Sequence, residues 1–218
     1  MADVGDAARR IVSVTNEIRR AEGRRDVAPD PALTAAARYF ADYLARSDTY
    51  SHTADGRRHD ERAAQHGYVA CVVTENIAYQ FRSEGFDGDA LATEFVQGWA
   101  RSPGHRKNML GEDVTDTGVG VAQNSQTGYY YAVQMFGLPR TAMIEFSLGN
   151  RSSVDVSYTL GDRRLALAPG ETRTHKQCGA VQFEFAHGDA KPIVVTPRHG
   201  ERYVVGNKGA GEVELRKE

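Results

Sequence analysis

The sequence predicts an α+β protein in two parts, a helix-rich part followed by an all-β part. Three observations lead there. Apolar residues recur at helical spacing in the first part of the chain, and a β-hairpin pattern closes that part. Beyond Leu138-Pro139-Arg140 the spacing switches to alternation between turn signals. The boundary is placed between 1–138 and 139–218, with a small β-sandwich expected in the second part.

The elements follow in order. Ile11, Val14 and Ile18 repeat at about 3.6 residues and predict a first helix. Asp30-Pro31 supplies an N-cap and a proline at the first helical position. Leu33, Ala36, Ala37, Phe40 and Leu44 then trace one apolar face. A short helix is expected over 57–65, ended by Gly67. A strand over 72–78 precedes a helix on which Leu91, Phe95 and Trp99 stack at i, i+4, i+8. Val119 and Val121, separated by glycine, face 129–136 across the turn 124–128, which reads as a hairpin. In the second part, Met143-Ile144-Glu145-Phe146, Val154/Val156, Leu165/Leu167, Val181/Phe183/Phe185, Ile193-Val194-Val195, Tyr203-Val204-Val205 and Val213-Glu214-Leu215 alternate. Gly149-Asn150, Gly161-Asp162, Pro169-Gly170, Gly188-Asp189 and Gly206-Asn207 separate them. Six to eight strands at that spacing make a sandwich.

Composition narrows the function classes. The 218 residues carry 27 basic and 29 acidic side chains, a formal charge of -2. That near-neutral balance removes the generic electrostatic reason to bind nucleic acid or an anionic membrane. With 40% apolar residues there is material for a core, yet no apolar run approaches the roughly 18 residues of a transmembrane helix. The opening Met1-Ala2-Asp3-Val4-Gly5-Asp6 has neither the basic nor the apolar region of a signal peptide. It fits a cytoplasmic chain or one whose signal peptide has been removed.

Four local patterns carry the chemistry: Tyr50-Ser51-His52 with Gly56, then Thr74-Glu75-Asn76-Ile77-Ala78. Next come the run from Gly98-Trp99 through Ser102-Pro103-Gly104-His105-Arg106 and Asn108 to Leu110, and Gly118-Val119-Gly120-Val121 leading to Tyr131-Ala132-Val133-Gln134-Met135-Phe136-Gly137. In this order, and with Val14-Thr15-Asn16-Glu17-Ile18-Arg19 before them, they resemble the CAP superfamily of cysteine-rich secretory, antigen 5 and pathogenesis-related proteins. The bacterial SCP-like branch is the better match. The resemblance runs from Ile11 to Gly137. It implies an α-β-α sandwich with a shallow cleft, and a secreted or periplasmic protein whose signal peptide is gone.

In the eukaryotic branches that cleft holds two histidines and two glutamates able to bind a divalent metal. His52 and Glu75 match one of each. Thr74 replaces the glycine before the glutamate. Ser102 stands where the second glutamate is expected, and Tyr131 where the second histidine is expected. His105, in the bacterial Ser-Pro-Gly-His-Arg signature, is the substitute. The expected cleft set is therefore His52, Glu75, His105, Ser102 and Tyr131.

Imidazole and carboxylate donors suit Zn2+, so His52, Glu75 and His105 are the candidate three-ligand site with an open position for water. Three readings stay open at this point. His52 bonds Glu75 as a structural pair, the three bind a metal reversibly, or a metal-bound water makes a peptidase-like hydrolase with Glu75 as general base. No His-Glu-x-x-His motif, phosphate loop or nucleophile elbow is present. The Ser-Pro-Gly-His-Arg segment alternatively reads as a rigid connector fixed by Asn108. His59, His66, His175, His187 and His199 show no ligand spacing and read as surface or turn residues. Tyr129, Tyr130 and Tyr131 alternate across a strand, as core packing or as an aromatic platform for a sugar, sterol or acyl chain.

The functional expectation is a secreted binding module for an envelope or extracellular lipid, glycan, small molecule or protein; the metal-dependent hydrolase is its alternative. Cys71 and Cys178 are the only cysteines, one in each part. Because the resemblance implies an oxidising compartment, a Cys71–Cys178 bridge is one expectation and two buried thiols the other. Nothing in the residues of the C-terminal part states its role.

Overall fold

The structure, a computed structural model, describes residues 3–188, 191–209 and 212–218. Its chain forms two compact units, Met1–Arg140 and Thr141–Glu218. Asp189 of the expected Gly188-Asp189 turn lies outside the described residues.

The first unit is a sheet covered by helices on both faces. Its elements are α1 (Val4–Ala21), β1 (Ala28–Pro29), α2 (Pro31–Ser47), α3 (His59–Gln65), β2 (Ala70–Gln80), α4 (Gly88–Arg101), α5 (Pro103–Met109), β3 (Asp116–Gln123) and β4 (Tyr130–Pro139). Carboxylates start the long helices: Asp3 accepts from the Gly5 and Asp6 amides, Asp30 from Ala32 and Leu33, Asp87 from Ala90. Pro31 opens α2 as its pattern predicts.

The sheet runs β1-β3-β4-β2, with β1 parallel to β3 and the other pairs antiparallel. Side chains alternate across it. Tyr130, Ala132 and Phe136 of β4 pack with α1, α4 and α5, among Ile11, Leu91, Phe95, Trp99 and Met109. Tyr131, Val133 and Met135 pack on the other side with Leu33, Phe40 and Leu44 of α2 and Ala63 of α3. With both faces covered, residues 130–138 of β4 are all buried. Gln134, sealed inside, bonds Thr15 Oγ1 at 3.1 Å.

The glycines of β3 set how near α2 lies. A Cβ on Gly118 would fall inside the α2 backbone at Leu33 and Thr34, and one on Gly120 inside it at Ala37 and Arg38. The Gly-Val-Gly-Val alternation therefore puts valines toward α1 and bare backbone toward α2.

The second unit has two four-stranded sheets among the described residues. Its strands are β5 (Met143–Asn150), β6 (Val156–Leu160), β7 (Arg163–Leu167), β8 (Thr172–Cys178), β9 (Phe183–Phe185), β10 (Ile193–Val195), β11 (Arg202–Gly209) and β12 (Glu212–Lys217). The sheet orders are β12-β11-β5-β8 and β10-β9-β6-β7. Phe146, Leu148, Tyr158, Leu167, Phe183, Phe185, Tyr203 and Val205 form the shared core. The sandwich expectation holds. One correction concerns His175, expected at the surface. It is 7% exposed, tilted against Phe146 with ring centroids 5.0 Å apart, and bonded through Nε2 to the Tyr158 hydroxyl at 2.7 Å. It occupies a core-facing position of β8, where a partnered imidazole substitutes for an apolar side chain.

Cys71 and Cys178 are both disulfide-bonded. No helix is long and apolar enough to cross a membrane among the described residues.

Candidate functional site

Three of the expected site residues, His52, Glu75 and His105, belong to β2, the edge strand of the first sheet, or to segments bonded to it. Glu75 and Asn76 are neighbours on it, so their side chains leave opposite faces. Glu75 points to the side of α3 and Asn76 to the side of α5.

On the Glu75 side, the 48–58 loop crosses between α2 and α3 and delivers His52. His52 Nδ1 lies 2.8 Å from Glu75 Oε1. An ionised carboxylate only accepts, so Nδ1 carries the hydrogen in this pair; in the neutral form of the ring Nε2 is then left as an acceptor. Half of the His52 side chain is exposed, whereas the Glu75 carboxylate is 1% exposed.

The other Glu75 oxygen belongs to Arg62. Its Nη1 donates to Glu75 Oε2 at 2.6 Å, its Nε and Nη2 grip Asp55 at 3.1 and 2.9 Å, and Nη2 also reaches the His52 carbonyl at 3.1 Å. The guanidinium is 0% exposed and its carbon sits 3.3 Å over the Phe40 ring. Burial alone would push the Asp55 carboxyl up, but the hydrogen bond and charge of Arg62 outweigh it and hold Asp55 below the usual range. Sequence reading misses Arg62. It lies in an unremarkable helix, and its partners are seven and thirteen residues away in chain, with no spacing rule to connect them.

On the Asn76 side, α5 docks through amides. Asn76 Nδ2 donates to the His105 carbonyl at 3.1 Å, and Asn108 Nδ2 donates to Asn76 Oδ1 at 2.9 Å and to the Glu75 carbonyl at 3.1 Å. The Ser-Pro-Gly-His-Arg segment is thus a short helix fixed by Asn108. His105 is half-buried. Burial first, then the nearby charge of His52, pulls its pKa down. The Ile77 carbonyl accepts from both the Tyr50 hydroxyl, at 3.0 Å, and Trp99 Nε1, at 3.1 Å. These side-chain donors close part of an edge that would otherwise offer free carbonyls.

Two expected members are elsewhere. Tyr131 is 4% exposed, and its hydroxyl donates to Asp48, the left-handed residue ending α2, at 2.6 Å. Burial and then this bond push its pKa up to about 12. Ser102 joins α4 to α5, and its hydroxyl caps neither helix. No three His, Cys, Asp or Glu side chains are disposed to hold a metal ion among the described residues. Both Glu75 oxygens are engaged, Oε1 by His52 and Oε2 by the buried Arg62.

Farther along the same face of β2 the surface becomes aromatic. Tyr79 and Phe81 follow Glu75 and Ile77 at two-residue steps. Tyr50 meets Tyr79 edge-on at 4.9 Å, Tyr79 meets Tyr129 at 5.8 Å, and Tyr129 meets Phe81 at 5.0 Å. Tyr50, Tyr79 and Phe81 are 47%, 49% and 51% exposed.

With this geometry in view, the comparisons with known proteins are direct. The cysteine-rich secretory protein family, CAP, matches over residues 12–136. The chain belongs to the CAP family. It is a CAP-domain protein of the bacterial SCP type. A Bacillus subtilis (strain 168) relative, YlbC, described as an uncharacterized membrane protein, is 30% identical over 120 residues. That match covers 55% of this chain and 32% of YlbC, so this CAP chain spans about a third of that relative. An outer surface protein of Borrelia burgdorferi shares the fold at a TM-score of 0.56 and 19% identity, over 63% of this chain and 96% of that one. An extracellular SCP-domain protein of Bacillus anthracis str. Ames superposes at 0.50 with 28% identity, over 60% and 40% of the two chains.

Proposed function

We propose that this CAP protein is an extracellular or envelope binding module, and that its ligand is a glycan laid along the aromatic ridge of β2 beside His52. The ridge carries the reading. Four rings in mutual contact, three of them about half exposed, are rare surface to leave open on a folded domain. Tyrosine offers an apolar face to the C–H side of a sugar and a hydroxyl to its polar edge. The rings hold one another in place, so little side-chain freedom is left to lose on binding. His52, its tautomer set by Glu75, adds a hydrogen-bond acceptor at one end.

An acyl chain fits less well. The ridge is open, and the apolar cavity lined by Ala8, Val12 and Val119 holds about 190 Å³, below the roughly 300 Å³ at which small-molecule pockets begin. The hydrolase alternative loses its base, because Glu75 is tied to Arg62 and His52. An extracellular place is supported by the extracellular Bacillus anthracis relative and by the disulfide.

Oligomers of N-acetylglucosamine, titrated while aromatic NMR signals are followed, test the reading. Saturable shifts of Tyr50, Tyr79, Phe81 and Tyr129 are expected, with binding at least about tenfold weaker in Tyr79→Ala. Shifts confined to other residues, or a Tyr79→Ala variant that binds as wild type does, would refute it.

A further inference from the structure

We propose that Arg62 is the resident cation of the His52–Glu75 site, and that this side chain, rather than a divalent metal, neutralises Glu75. This CAP site is then metal-independent by construction. The inference does not rest on the glycan reading: both involve His52, but this one concerns what neutralises Glu75, not what the rings bind.

The observations are geometric. A zinc ion here needs about three protein donors. Glu75 presents two oxygens, and Oε2 faces Arg62 Nη1 at 2.6 Å. Oε1 faces His52 Nδ1 at 2.8 Å. The two nitrogens of an imidazole point in different directions. An ion on His52 Nε2 therefore lacks Glu75 as a ligand while the His52–Glu75 bond persists. An ion on Oε1 must first turn His52 away, and then sits beside a guanidinium that never loses its charge.

Arg62 has no room to withdraw. Asp55 holds it by two bonds, the His52 carbonyl by a third, and Phe40 lies under its plane. Like charges at such spacing, away from water, oppose entry of a second cation. Asp55, 1% exposed, completes the arrangement by balancing Arg62 on its far side. One buried cation bridges two buried carboxylates, which is the task a metal would perform.

The test is zinc titration by calorimetry, with imidazole NMR signals of His52 and His105 as the second readout. Wild type and Arg62→Lys are expected to show no saturable binding at these imidazoles. The double variant Arg62→Gln/Asp55→Asn removes the cation and its balancing carboxylate together, so no charge is orphaned at Asp55. It frees Glu75 and is expected to bind zinc at least about tenfold more tightly than wild type, with both His52 and His105 shifted. Circular dichroism establishes that the variants are folded. If the double variant does not fold, the wild-type titration with His52→Ala beside it decides alone. Zinc binding in wild type that His52→Ala abolishes overturns the proposal. So does a folded double variant that gains nothing.

Discussion

Arg62 shows how much one side chain can organise. Charged groups leave water at a cost, and this one is repaid only by its complete set of partners. Replacing it with methionine keeps the volume but strands Asp55 and Glu75 in the interior. The expected loss is about 3–5 kcal/mol, read from the urea midpoint at neutral pH. His175 makes a second prediction at this scale. Burial first, then Arg173 and Arg163, depress its pKa. A histidine depressed in the folded state stabilises above its unfolded pKa of about 6.5. That contribution is lost as pH falls through the lower folded value. The urea midpoint should therefore fall as pH is lowered from about 7 through the unfolded value toward the lower folded one. His175→Gln should flatten this dependence without abolishing it, because His105 is shifted the same way. An unchanged slope in His175→Gln would exclude the assignment.

Helix α2 and strand β3 meet through glycine. Alanine at Gly120 places its methyl group within the α2 backbone, and backbone cannot step aside as a flexible side chain does. Gly120→Ala is expected to cost about 3 kcal/mol or more, seen as a lowered melting temperature. Gly98 is the contrasting case. It sits inside α4, and a methyl group there would meet nothing within 4 Å. Gly98→Ala should stabilise by about 0.5–1 kcal/mol through helix propensity. Elements of this kind were legible from spacing. Asp30-Pro31 does start α2, Leu91, Phe95 and Trp99 do face one core, and the 124–128 turn does join β3 to β4. Two-residue β1 was not, because so short a segment has no periodicity to detect. It exists only by pairing with β3.

Each of the two units has its own core, so residues 1–140 and 141–218 expressed apart should each unfold cooperatively. A C-terminal fragment without a sigmoidal urea transition would contradict this. The disulfide adds a covalent constraint on the unfolded chain. Closing a loop of roughly a hundred residues contributes about 4–5 kcal/mol in the chain-entropy treatment. Peptide mapping without reductant should recover Cys71 joined to Cys178, and reductant should lower the denaturation midpoint.

Residue order alone reached the fold class and the family, because helix and strand periods, caps and turn residues are local properties of the chain. His52, Glu75 and His105 were singled out that way, as letters in a recognisable order. Their chemistry was not. A carboxylate that serves as a metal ligand and one locked to arginine are the same letter, and what separates them is a contact across thirteen residues between α3 and β2. Likewise Tyr131 and Tyr129 look alike in sequence, yet one is sealed against Asp48 and the other belongs to an open ridge. Long-range packing decides which side chains meet, and burial decides what each meeting is worth.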